Sequence, residues 1–253
     1  MSKFYQRRYL RKRDACISIF ACVFAPSIVN AQDAGWQGQI TPYVWATGVG
    51  GHVKPVSGAP TISFDRSFSE TLKDLDAAFF INGFARKERF VLAGDLLYSS
   101  LSKKGTVSPG VSAKAKMRMA SLTLLGGYRA IEDSSMALDV MAGARVWHTR
   151  ASLSVPVIGE QRSSTHNFID PVVAVRVNFS LSPSWSMLGY ADVGGFGVGS
   201  ELTKQFALSV NYQVNENIYV STGYRHLDLD YKDKGMRIDT KLTGPFFGFT
   251  WKF

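Results

Sequence analysis

The sequence predicts an all-β chain: a single closed antiparallel up-and-down barrel of about ten strands that crosses a membrane, with eight strands as the alternative count. Three observations carry that reading. After residue 31, apolar and polar residues alternate with period two in segments of roughly ten to fourteen residues, the length a tilted strand needs to cross a bilayer. Aromatic residues gather at the ends of those segments, where headgroups meet hydrocarbon. No stretch after residue 31 approaches the run of about eighteen apolar residues that a transmembrane helix requires.

Residues 1–31 read as a secretory signal peptide. A basic region (Lys3, Arg7, Arg8, Arg11, Lys12, Arg13) precedes an apolar stretch at 15–25 that is too short to span a bilayer as a helix. Val29-Asn30-Ala31 places small residues at −3 and −1, so cleavage is expected after Ala31, leaving 32–253 as the barrel domain. Two other export signals match less well. Arg7-Arg8-Tyr9-Leu10 is a faint twin-arginine pattern, but that route carries folded cargo, and a folded barrel would expose its lipid face to water. Ile19-Phe20-Ala21-Cys22 is a faint lipoprotein box with the bulky Phe20 inside it. The general secretory route to the bacterial outer membrane is therefore expected. Both cysteines, Cys16 and Cys22, fall in the signal, so the mature chain has no disulfide and no thiol chemistry. The excess of 29 Lys+Arg over 20 Asp+Glu is also concentrated there. The basic residues that remain are scattered among acidic ones without a basic block, which argues against a nucleic-acid partner.

Strands are predicted, in order, near 36–47, 76–87, 89–101, 116–129, 136–149, 167–180, 185–197, 204–214, 218–229 and 240–253. In the first, Trp36, Gly38, Ile40, Pro42, Val44 and Ala46 form an apolar face against Gln37, Gln39, Thr41, Tyr43, Trp45 and Thr47. The fifth sets Leu138, Val140, Ala142, Ala144 and Val146 against Asp139, Met141, Gly143, Arg145 and Trp147. The sixth sets Ile169, Val173, Val175 and Val177 against Asp170, Val172, Ala174, Arg176 and Asn178. The eighth sets Phe206, Leu208, Val210 and Tyr212 against Ala207, Ser209, Asn211 and Gln213. The connections alternate in length. Short ones lie at 87–89, 130–135, 181–184 and 215–217, and longer ones at 49–75, 102–115, 150–166, 198–203 and 230–239. Short periplasmic turns and longer outer loops are the arrangement of outer-membrane barrels.

A soluble β-sandwich or lipocalin-like barrel also shows alternation, and aromatic placement argues against it. Trp36, Phe90 and Trp185 begin strands at the periplasmic rim, while Tyr128, Phe179, Tyr212 and Trp251 end strands there. Tyr98, Phe168, Phe206 and Tyr224 are expected to form the outer girdle. In 49–75, residues 69–75 suit a short amphipathic helix, either a lid over the lumen or simple loop packing. Gly194 to Gly199 has no helix after it and reads as close packing or a bend, not a dinucleotide site.

The end of the chain, Phe247-Gly248-Phe249-Thr250-Trp251-Lys252-Phe253, resembles the C-terminal signal of bacterial outer-membrane proteins. That resemblance implies that Phe249, Trp251 and Phe253 address the chain to the outer-membrane assembly machinery. Further stretches resemble a widespread proteobacterial family of outer-membrane β-barrel proteins without an assigned function. They include Pro42-Tyr43-Val44-Trp45-Ala46, Gly94-Asp95-Leu96-Leu97-Tyr98, Gly143-Ala144-Arg145 and Gly223-Tyr224-Arg225-His226-Leu227. The resemblance implies fold and location and brings no substrate or functional residue with it.

By the same alternation, nine charged residues face the lumen: Arg86, Asp95, Arg129, Asp139, Arg145, Asp170, Arg176, Asp192 and Arg225. A charge inside a barrel is tolerable when paired or hydrated, whereas on the lipid face it costs about 2–4 kcal/mol near the midplane. Two readings follow. The charges form a structural ion-pair network, or they line a narrow passive channel for small polar solutes, ten strands being barely wider than the eight that side chains fill. A loop-displaying adhesin or receptor is the alternative. A lipid-modifying or protease barrel ranks last. The histidines (His52, His148, His166, His226) show no paired catalytic motif, with His148 and His226 expected outward near the outer rim. Omptin-type proteases have strands that reach farther out than this length allows. No cofactor or metal motif is present. The expected partners are outer-membrane lipids, lipopolysaccharide and the assembly machinery, with the protein a monomer.

Overall fold

In a computed structural model, which describes residues 35–54, 62–108, 111–155, 160–233 and 236–253, alternation resolves into paired strands. The expected signal peptide and its Ala31 cleavage site lie outside those residues. In chain order the elements are β1 (Gln37–Trp45), β2 (Gly48–Lys54), β3 (Ile62–Arg66), α1 (Phe68–Lys73), β4 (Leu75–Lys87), β5 (Phe90–Ser108), β6 (Val111–Glu132), β7 (Met136–Val155), β8 (Glu160–Ser180), β9 (Trp185–Gly194), β10 (Leu202–Gln213), β11 (Ile218–Asp233) and β12 (Met236–Lys252). β1 pairs with β4, each strand from β4 onward pairs with the next, and β12 returns to β1, with Ile40 opposite Trp251. The result is a closed antiparallel ten-stranded barrel.

The remaining elements sit at the outer rim, where the sequence suggested a loop at 49–75. Past Trp45 the chain bends, and β2 continues beside β12, with Val53 opposite Ile238, while β3 covers its other edge. Gly51 has φ +147 and a Cβ there would meet the Asp239 backbone, so only glycine permits this approach. Helix α1 begins at a capping box in which Ser67 and Glu70 satisfy each other's backbone N–H groups. The Ser67 N–H and hydroxyl donate to the Glu70 carboxylate and hold its pKa below the usual range. The helix packs beside β2 and β3 and leaves Phe68 and Leu72 exposed.

Strand lengths differ around the barrel. β5 to β8 have 19, 22, 20 and 21 residues, whereas β9 and β10 have 10 and 12. About 9–11 residues suffice to cross a bilayer, so β5 to β8 rise as a wall on one side. The stretches 102–115 and 150–166, expected as loops, continue largely as ladder, with Lys103 opposite Ala115 and Ser152 opposite Ser163. These four strands reach well past the bilayer, farther than the chain length led one to expect.

Outward positions are apolar where hydrocarbon would touch them: Val44, Leu92, Leu124, Val140, Val146, Ile169, Val173 and Phe249 are all exposed. Aromatic pairs mark the short-turn end, Phe90 with Tyr128 at 6.0 Å and Trp185 with Tyr212 at 4.9 Å between ring centroids. Tyr98, Phe206 and Tyr224 face outward. Phe168 does not. It shares the face of Asp170, two residues on, and is buried inside the barrel against Trp147 and Tyr231.

Candidate functional site

Antiparallel register decides which inward charges meet. Asp139 stands on β7 between Arg129 of β6 and Arg176 of β8. It accepts from Arg129 Nε at 2.8 Å and from Arg176 Nη1 at 3.0 Å. Glu132 extends this group by accepting from Arg129 at 3.1 Å and Arg86 at 2.8 Å, and Arg86 also donates to Gln37. The Arg176 guanidinium lies 4.0 Å over the Phe84 ring.

Two further pairs sit deeper. Arg145 grips Asp192 with both terminal nitrogens, at 2.6 and 3.2 Å, and its Nε donates to Thr123 at 2.8 Å. The Tyr190 hydroxyl donates to the same carboxylate at 2.7 Å. Arg225 donates to Asp95 at 2.7 Å and to Gln205 at 2.8 Å, and Tyr43 donates to Asp95 at 3.0 Å. Tyr43 also contacts Arg225 directly. The Arg225 guanidinium lies 4.8 Å over the Trp45 ring.

Asp170 corrects the expected network. It lies opposite Arg145 in register, yet Arg145 reaches to Asp192 instead, and Asp170 has no cation among the described residues. Its carboxylate accepts three neutral donors: Trp147 Nε1 at 2.9 Å, the Ser200 N–H at 2.7 Å and the Ser200 hydroxyl at 2.9 Å. The loop between β9 and β10 therefore folds inward. Gly195, Phe196 and Gly197 adopt φ values of 89, 50 and 74, turning the chain back into the barrel mouth. A Cβ at Gly199 would stand 2.6 Å from Asp170 Oδ1, so the glycine allows this approach.

The lumen thus divides into two parts. From the short-turn end, periplasmic in barrels of this kind, a cavity of about 600 Å³ runs from Gln37, Asn217 and Lys252 at the rim to Tyr43, Asp95 and Arg225. Above it the interior is filled. Trp45, Phe80, Leu97, Met119, Trp147, Phe168, Tyr231 and Ile238 form one buried cluster, to which eight of the ten barrel strands contribute. Phe168 stacks on Tyr231 at 4.2 Å. The two strands that do not contribute, β9 and β10, are those whose connecting loop folds onto Asp170.

Sequence reasoning missed Glu132, which faces inward only because a register shift between Arg129 and Ile131 reverses the parity of the strand end. It also passed over Tyr43, Tyr190 and Gln205, which sit on the polar faces and serve as hydrogen-bond partners. His148 and His226 face outward and bond to Asn167 and Thr243. His166 bonds to Ser164, and His52 to Ser63. No described histidine is hydrogen-bonded to a carboxylate, and the described residues hold no group of three metal-ligating side chains.

No protein-family model and no curated protein sequence matches this chain. Solved structures do. The outer-membrane protease OmpT of Escherichia coli aligns over 86% of this chain and 96% of its own, at 10% identity and a TM-score of 0.51. The translocator domain of the autotransporter NalP from Neisseria meningitidis covers 88% of this chain and 90% of its own, at 13% identity and a TM-score of 0.47. Ail, the attachment invasion locus protein of Yersinia pestis, covers 86% and 99%, at 12% identity and a TM-score of 0.37. At such identities the likeness speaks to architecture alone, and the architecture this chain shares is the outer-membrane β-barrel.

Proposed function

We propose that the protein is a structural barrel of the bacterial outer membrane, closed to solute flow and hollow only on its periplasmic side. It is exported through the general secretory route, released from its signal after Ala31, and recognised by the assembly machinery through Phe249, Trp251 and Phe253. The observation that carries this reading is the apolar cluster across the outer half of the lumen. A channel for polar solutes needs a hydrated path, and aromatic, thioether and aliphatic side chains from eight strands occupy it here. The arginines Arg129, Arg145 and Arg225 below are each paired with a carboxylate, which suits a scaffold. The histidine environments favour no catalytic role.

Purified protein in planar bilayers tests this. Silence across ions and voltages is expected, and discrete conductance in the wild type would overturn it. A surface-binding role is the second reading, favoured by the wall of β5 to β8, whose strands exceed what a bilayer requires. Under that reading, removing 150–166 abolishes binding to other cells or phage while the barrel still assembles.

A further inference from the structure

Two arginines stand directly opposite each other on the outside of the wall. Arg118 of β6 pairs in register with Arg150 of β7, and both side chains are exposed. Cβ atoms at such positions are about 5 Å apart, and like charges so placed destabilise a sheet. Neither arginine has an ion-pair partner among the described residues. Lys114 and Lys116 continue the same outward face at alternate positions of β6, opposite Ser154 and Ser152. Asp76 is the one carboxylate that reaches this group among the described residues. It lies 2.9 Å from Lys116 and also accepts from Ser100 and Ser102. Three positive charges are left over.

Their height is set by the strands. Tyr128 of the periplasmic girdle lies opposite Val140, and Arg118 and Arg150 are each ten residues farther along (128 to 118, and 140 to 150). At about 3.4 Å per residue and a tilt near 45°, that is about 24 Å along the membrane normal, close to the apolar band of about 25 Å. The exposed Leu122, Leu124 and Val146 lie below, and Tyr98, opposite Ala120, sits one pleat beneath Arg118. The basic group therefore faces the outer boundary of the hydrocarbon, pointing away from the lumen.

We propose that Arg118, Arg150, Lys116 and Lys114 bind the phosphate groups of a phosphorylated glycolipid of the outer leaflet. A phosphate between the two guanidinium forks is held by paired charge-assisted hydrogen bonds and cancels their repulsion. The lysines, one and two pleats higher, take a second phosphate or the inner sugar acids. This inference rests on the membrane reading above and on the wall facing outward.

The test uses the full-length mature barrel and the double variant Arg118→Gln/Arg150→Gln, both refolded in detergent and checked for the heat-dependent gel shift of a closed barrel. Each is titrated with bis-phosphorylated lipid A and with the same lipid stripped of phosphate, with and without inorganic phosphate as competitor. Wild type should prefer the phosphorylated lipid at least tenfold, and the double variant should lose about tenfold for that lipid alone, the scale of one charged hydrogen-bond set. Inorganic phosphate at equal concentration should not displace the lipid. Equal affinity of wild type for the two lipids, an unchanged double variant, or ready displacement by inorganic phosphate overturns the proposal. If the variant does not refold, the wild-type comparison of the two lipids decides alone. Failure of the wild type to enter micelles or bilayers as a closed barrel overturns the membrane reading instead.

Discussion

The two halves of the lumen are built by the same strands and obey opposite chemistry. Toward the short turns, inward positions carry Arg86, Arg129, Asp139 and Arg176 around a cavity of about 600 Å³. Toward the outer connections, the same strands present Trp147, Phe168, Met119 and Phe80, packed against one another. The lower half pairs its polar groups with one another beside the cavity, while the upper half packs apolar side chains against each other. Trp147 joins them, because its ring belongs to the plug, its indole N–H reaches Asp170, and the Arg145 guanidinium lies 5.9 Å over its ring.

That contrast can be broken from the top. Trp147→Ala removes one of the plug's two tryptophans, the one with no exposed surface, and leaves Asp170 one donor short. The expected loss is about 3–5 kcal/mol, read as a lowered unfolding midpoint in denaturant, and it is the change most able to create conductance in a silent barrel. Breaking the lower half costs somewhat less, because water can enter from the cavity. Arg145→Ala leaves the fully buried Asp192 carboxylate without its cation, a change worth up to about 3–5 kcal/mol where no water reaches. A double-mutant cycle with Asp192→Ala should return a coupling of about 0.5–3 kcal/mol, and additive effects would show that the pair is not coupled. Ser200→Ala tests the junction: it removes one of three donors to Asp170, for about 1 kcal/mol, with faster amide exchange expected in 195–201. Arg86→Ala at the rim should be smallest, below about 1 kcal/mol, since Arg86 and Glu132 are part-exposed. A large loss there would mean that the rim pair is as structural as the deep ones.

Much of the barrel was legible because each of its strands has an apolar outer face and an enclosed inner one, so burial and period two coincide. Where that condition lapses, the reading lapses. Past the hydrocarbon boundary the outer face of β6 turns basic, and Lys114, Lys116 and Arg118 resemble loop residues although Met117 and Met119 still alternate inward. Glu132 was hidden by a bulge, which no alternation rule can place in advance. Phe168 was assigned to the girdle because it is aromatic, against its own parity with Asp170. The inward fold of 195–201 depends on three consecutive left-handed residues meeting a carboxylate from another strand, a long-range event with no local signature.

The seam between β1 and β12 has a kinetic meaning. Gly38 and Phe253 exchange both backbone hydrogen bonds, each 2.9 Å, and a Cβ at Gly38 would strike the Phe253 ring. Nearly every other pairing in the cylinder joins neighbours in the chain, whereas this one joins residues 38 and 253. Hairpins with short closures can form early and independently, but closing the ring must wait until the final strand is in place, at the largest loop entropy in the molecule. Until then β1 and β12 are both open edges, ready to pair with any passing strand. A factor that shielded the β12 edge would therefore act before the pairing with the largest loop to close, the one that Gly38 and Phe253 lock.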